Sequence, residues 1–233
     1  MDAQRKQEIG EAAAKILLDT KSVLFNAKEP FVLTSGRCSP VYIDCRRLIS
    51  FVEERSDLMD MAVEILLGEI SEDIDFAAGG ETAGIPYAAF IAERLHKPML
   101  YVRKKPKGFG RMAQIEGTFG DVKNPKVLLI EDLQTDGGSK KTFIDALREA
   151  GAEVKHAFVV FHYGIFDRSL ENMNAMGLTL HELTNWWHVL KVAKEQNYFD
   201  EETLSAVESF LKAPDIWSEI NSEKSGSSGG FAI

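Results

Sequence analysis

Apolar positions along this chain fall into short unbroken runs and helical stripes, and between residues 75 and 161 the two kinds alternate. Short continuous runs suit strands covered on both faces, as in a parallel sheet packed between helices. They lie at Asp75 to Ala78, Pro98 to Val102, Lys126 to Glu131 and Glu153 to Phe161. Between them, Ile85 to Leu95 reads as a helix, and Phe143, Ile144, Ala146, Leu147 and Ala150 form another apolar stripe that ends at Gly151. Alternation of this kind predicts crossover units and an α/β fold on a parallel sheet flanked by helices.

Flanking segments are patterned differently. Ala3 to Leu18 reads as a helix with Ile9, Ala12, Ala13, Ile16 and Leu17 on one face, an element added beside the core. Val52 to Leu67 is helical, carrying Leu58, Met61, Ala62 and Ile65. Phe31 to Leu33 and Val41 to Asp44 look like strands on either side of the polar turn Thr34 to Pro40, a hairpin-like pairing. After His162 the pattern is mainly helical, with a possible strand at Leu178 to Leu183 and amphipathic stretches at Trp186 to Ala193 and Glu202 to Leu211. Trp186 and Trp187 are expected in the core, and the Ser/Gly-rich tail from Ser222 to Gly230 is expected to be mobile. The divisions expected are 1–50 for the N-terminal helix and strands, 51–165 for the α/β core, 166–221 for a helical extension and 222–233 for the tail.

At 233 residues the chain holds one sizeable core, or one core and a small subdomain. Its net charge of -9 argues against a nucleic-acid partner bound by bulk positive potential. Cys38 and Cys45 make neither a metal-ligand pattern nor a disulfide framework, which fits a reducing, cytoplasmic setting. No apolar run approaches the length that spans a bilayer, and the charged N-terminus lacks a signal-peptide core, so no membrane association is expected. The histidines are scattered, with no spacing for a dedicated metal site.

Chemistry concentrates in Val127 to Ser139, where a buried strand, the carboxylates Glu131 and Asp132, and a small-residue loop follow one another. Backbone N–H groups of Thr135 to Ser139 can approach an anion at the positive end of the helix that follows. A sugar lying against the carboxylates with its phosphate in the loop makes this order suit a ribose 5-phosphate. Thr135 or Asp136 as a plain helix cap is the alternative. A P-loop nucleotide site would need G-x-x-x-x-G-K-[ST], and Gly137 to Thr142 has the residue types without the spacing. A second glycine turn, Gly79 to Pro86, follows another strand, at the strand ends where ligands gather in α/β sheets. Taken alone it would be an ordinary tight connection. Arg103, Lys104, Lys105, Lys107 and Arg111 crowd one segment with Gly108 and Gly110, and no acidic residue interrupts them. Charge runs are usually solvated loops, but mobility with positive charge also suits a lid over pyrophosphate. A cation about 4 Å from the leaving group gains about 4 kcal/mol before desolvation.

These motifs resemble the type I phosphoribosyltransferases, whose shared substrate is phosphoribosyl pyrophosphate (PRPP). Phe31 to Asp44 and Tyr101 to Gly110 are similar to the base-site region and mobile loop of the orotate phosphoribosyltransferases, and the likeness runs over roughly residues 20 to 165. The resemblance implies the fold of that family, a parallel sheet flanked by helices with a small hood built from N-terminal and C-terminal residues. It implies transfer of ribose 5-phosphate from PRPP to orotate, in a homodimer, with Mg2+ delivered by PRPP and few or no protein ligands of its own. Arg103, Lys104 and Lys107 would then contact pyrophosphate, in part across the dimer interface, with Thr82 and Ala83 in the second phosphate turn. Glu131 and Asp132 would meet the ribose hydroxyls; Leu133, Gln134, Thr135, Asp136, Gly137, Gly138 and Ser139 would surround the 5-phosphate. Lys104 and Lys107 with the acidic pair would carry catalysis, and Ser35, Gly36, Arg37, Tyr42 and Thr135 would meet orotate. The family often has lysines where this chain has Thr34 and Ala83, an aromatic pair at Tyr42-Ile43, and a histidine at Phe109. Its Asp-Arg pair against orotate is replaced by His162-Tyr163. A phosphoribosyltransferase for a purine base and a non-catalytic PRPP-binding regulator both stay open.

Overall fold

A computed structural model describes residues 1–33, 36–106, 114–138 and 140–222. Helix α1 (Ala3–Asp19) opens the chain, with the Asp2 side chain accepting the N–H of Arg5 as its cap. Four short strands follow: β1 (Val23–Phe25), β2 (Phe31–Val32), β3 (Cys38–Ser39) and β4 (Val41–Ile43). The expected pairing of Phe31 to Leu33 with Val41 to Asp44 does not form. Instead β2 pairs with β3, Phe31 opposite Ser39, while β4 pairs antiparallel with β1, Val23 opposite Ile43. Pro40 explains the change of partner, because it has no N–H to continue the first ladder; its carbonyl accepts the N–H of Asn26 and starts the second.

A 3-10 turn (Cys45–Ser50) leads into α2 (Val52–Glu69), and then strand and helix alternate as expected. The order is β5 (Phe76–Gly80), α3 (Gly84–Leu95), β6 (Met99–Val102), β7 (Ile115–Glu116), β8 (Lys126–Gln134), α4 (Lys140–Glu149), β9 (Glu153–His162), α5 (Asp167–Ala175) and β10 (Thr179–Asn185). Helices α6 (Trp186–Glu195), α7 (Glu201–Lys212) and α8 (Pro214–Asn221) complete the described chain. The main sheet runs β10-β9-β8-β5-β6-β7, parallel except for β7 at the edge. Both faces are covered. Leu128 and Ile130 of β8 join a core with Leu17 of α1, Leu58 of α2, Tyr87 of α3 and Trp186 of α6. Val127 and Leu129 enter the opposite core with Phe143, Ile144 and Leu147 of α4.

Strand β8 is longer than its apolar run. It continues through Gln134 because β9 supplies ladder partners to the end, Leu133 opposite Phe161 and Gln134 opposite His162. Glu131 and Asp132 therefore lie inside the strand, and alternation turns their side chains to opposite faces of the sheet. That corrects the expectation that both leave the core together at a strand end. At the far edge, β10 runs to Asn185, beyond the expected Leu183. Trp186 and Trp187 separate. Trp186 is fully buried, edge-on to Phe161 and Tyr163, whereas Trp187 is 41% exposed.

Candidate active site

Strands β5 and β8 are neighbours, in register from Phe76 opposite Val127 to Gly79 opposite Ile130, so the two glycine turns lie side by side. Gly84 sets their separation. A Cβ there would stand 2.4 Å from the Ile130 carbonyl oxygen and 3.1 Å from Glu131 Cα, so only glycine lets α3 start this close to β8. Thr82 and Ala83 sit in the intervening turn, where the Thr82 carbonyl accepts the N–H of Ile85 and the Glu81–Thr82 peptide is cis. Glu81 reaches the basic segment: its Oε2 accepts the backbone N–H of Lys104 at 2.8 Å. Arg103 pairs through its backbone with Gln114, and its guanidinium lies 3.9 Å from Glu116 on β7. Lys107, Gly108, Phe109, Gly110 and Arg111 lie outside the described residues, as do Thr34, Ser35 and Ser139.

The turn after β8 is built around Gly137, whose φ of 81° is left-handed. Asp136 Oδ1 accepts the N–H of Gly138 at 3.2 Å, and the Asp136 carbonyl accepts Asn172 Nδ2 at 2.8 Å. Asp136 thus closes a local turn ahead of α4, an Asx-type bond rather than a bond to the first helical residues. Gln134 lies beneath the turn, where a Cβ on Gly137 would stand 3.2 Å from its Nε2. Its Nε2 donates to Ser169 Oγ at 2.7 Å, Ser169 lies 2.8 Å from His162 Nε2, and His162 Nδ1 meets Glu182 of β10. His162, at the position of the family's aspartate, is consequently buried in a polar chain behind the site, and Tyr163 faces the cleft.

The acidic residues have different surroundings. Glu131 is buried on the α4 side, where Lys140 Nζ lies 2.5 Å from its Oε2. The two meet as an ion pair without the alignment of a hydrogen bond. Asp132 lines the cleft; burial pushes its carboxyl up, the Glu131 charge adds to this, and Arg46 and Lys140 pull it back. Lys140 escaped the sequence reading, although its signal was present. It stands three, four and seven residues before Phe143, Ile144 and Leu147, a cation on the apolar stripe of α4.

The cleft is a cavity of about 1080 Å³. It is lined by Asp132, Leu133, Thr135 and Asp136 and by Leu33, Arg37 and Tyr42 from the N-terminal segment. Val32, Ile43 and Asp44 of the expected base-site run line it too, whereas sequence patterns did not single out Cys45 and Arg46, Ile165 to Asp167, or Lys212, Pro214 and Asp215 from the C-terminal helices. Arg168 also lines it. Arg37 is held in place, its guanidinium 4.5 Å from the Phe166 ring centre and Nη2 2.5 Å from Asp215 Oδ1. Gly36 (φ 82°) donates its N–H to the Leu33 carbonyl and turns the chain toward Arg37. Helix α8 is fastened over this hairpin, since Ser218 Oγ accepts the N–H of Cys38 at 2.9 Å. Among the described residues no three His, Cys, Asp or Glu side chains are grouped to hold a metal ion, and no helix is long and apolar enough to cross a membrane.

Residues 54–194 match the model of the phosphoribosyl transferase domain family. An orotate phosphoribosyltransferase of Roseobacter denitrificans is 52% identical over 216 residues, 92% of this chain and 95% of the relative, well beyond the 20–165 span of the motifs. Among solved structures, the orotate phosphoribosyltransferase of Aeropyrum pernix is 33% identical, with a TM-score of 0.66 over 80% of this chain and 99% of its own. UMP synthase of Leishmania donovani gives a TM-score of 0.73 at 28% identity, over 87% of this chain and 42% of that longer one.

Proposed function

The chain belongs to the phosphoribosyl transferase family and, within it, to the orotate phosphoribosyltransferases; from that premise we propose how its cleft divides the transfer of ribose 5-phosphate from PRPP to orotate. The 5-phosphate takes the turn from Thr135 to Ser139, where the start of α4 favours negative charge. Asp132 faces the ribose from within the cleft, and Glu131 supports it from the buried side. Pyrophosphate leaves between the Glu81 to Ala83 turn and the basic segment, where Arg103, Lys104 and Lys107 offset its growing charge. The base lies with its carboxylate toward Arg37 and its ring near Tyr42. Positive character on the ribose in the transition state is stabilised by position and field, and no covalent nucleophile is required.

The observation that carries this reading is the cleft itself. One continuous cavity joins the phosphate turn and Asp132 to Arg37, with the second glycine turn held alongside by Gly84. Magnesium enters as part of the PRPP complex. Glu131 is already paired with Lys140, and among the described residues the acidic side chains form no metal-holding cluster. The working form is a cytoplasmic homodimer in which the basic segment of one protomer serves its partner. Orotate absorbance followed with PRPP and magnesium tests the assignment, with adenine and hypoxanthine as parallel acceptors. Consumption of orotate alone, with pyrophosphate released in equal amount, is expected; turnover of a purine, or none with any base, overturns it. A fully active monomer in sedimentation would overturn the shared site.

A further inference from the structure

Lysine is almost never fully buried unless its charge is paired. Lys140 is buried completely at the first position of α4, and its compensation is the ion pair with Glu131 at 2.5 Å. An apolar residue at this point of the stripe would pack against Phe143 and Ile144 without that demand. The neighbours of the pair are mostly unable to supply positive charge. The titratable neighbours of Asp132 are Glu131 on the other face of its own strand, Cys45 and Arg46 from the 3-10 turn, Tyr87 from α3 and Lys140 from α4. Lys140 is the cation in contact with Glu131 among the described residues.

We propose that Lys140 is a positioning residue for ribose transfer, holding the Glu131 side chain on the α4 face of β8 and offsetting its charge, so that Asp132 on the opposite face stays ionised. The inference rests on the transfer reaction proposed above. Burial and the Glu131 charge both push the Asp132 carboxyl up, and Lys140, in contact with Glu131, pulls it back. A protonated Asp132 loses the negative field that the ribose needs as its bond to pyrophosphate breaks.

The test is the pH profile of kcat/KM for Lys140→Met, which keeps the stem and removes the charge. Its acid limb should move up by about 1–2 pH units, so that activity falls about 10- to 100-fold below the wild-type limb and approaches wild type at alkaline pH. Lys140→Arg, which keeps the charge, should return the limb to its wild-type place. An unshifted limb in a folded Lys140→Met variant overturns the proposal. Should that variant not fold, the comparison moves to Glu131→Gln with and without Lys140→Met, since removing both charges leaves no orphan. Equal kcat/KM in these two variants means that Lys140 acts through Glu131; a further loss above about tenfold overturns it. Wild type inactive with every base would defeat the transfer reading instead, and the two failures are thereby distinguished.

Discussion

Gly84→Ala is the sharpest test of how the cleft is assembled. The added Cβ would sit 2.4 Å from the Ile130 carbonyl oxygen, about 1 Å inside an ordinary 3.4 Å contact, and the opposing atoms are backbone that cannot rotate away. Relief requires α3 and its turn to back away from β8. Overpacking of this kind costs about 1–3 kcal/mol. At roughly 2 kcal/mol, a chain of this size should lose about 4–8 °C in Tm. The same displacement carries Thr82 and Ala83 away from the acidic pair, and a misplacement of about 1 Å near reacting groups costs on the order of 100-fold in rate. Calorimetry and steady-state kinetics with PRPP varied would read both effects. Gly138→Ala is the control for stability, since the nearest atom to a Cβ there is Asp136 Oδ1 at 3.7 Å. If Gly84→Ala keeps wild-type Tm and kcat/KM, the close approach of the two turns does not organise the site.

Lys107→Ala should lower kcat by about 100-fold or more with unchanged circular dichroism, as expected when a group acts mainly on the leaving pyrophosphate; wild-type turnover would remove it from the mechanism. Arg37→Ala should raise KM for orotate about thirtyfold, equivalent to about 2 kcal/mol, and leave KM for PRPP near its original value; an equal rise in both would place Arg37 outside the base site. Acid unfolding should involve Glu69, whose carboxyl is held down to about 2 by its bond to His181 and by Lys6, against the effect of burial. Because the folded value is the lower one, this stabilisation is present above the ordinary 4.5 and is lost as pH falls toward 2. The stability gap between wild type and Glu69→Gln should therefore shrink between about pH 5 and pH 2.5, and a constant gap in urea titrations would contradict it.

Much of the α/β core was legible because each element carries its own periodicity. The strands from Asp75 to Phe161 read as unbroken apolar runs since helices cover both faces, and α2, α3 and α4 read from their stripes. Three-residue β1 and two-residue β7 are too short to show a period, and the change of strand partner at Pro40 depends on which ladder has a free edge. In the cleft, Asp132, Thr135, Asp136, Arg37 and Tyr42 were singled out in advance and do line one cavity. Lys212, Pro214 and Asp215 were not. They reach the cleft only because α8 folds back onto β3, nearly 180 positions away in the chain.

Residue order by itself determined the alternating core, the two glycine turns and the acidic dipeptide, because strand and helix periods and the left-handed preference of Gly137 act over a few neighbours. Tertiary structure alone decided that Glu131 and Asp132 face opposite sides of the sheet, that Lys140 is buried against one of them, and that Asp215 meets Arg37. Those outcomes depend on where β9 continues the ladder and where the C-terminal helices land, and contacts across so many residues leave no local pattern in the chain.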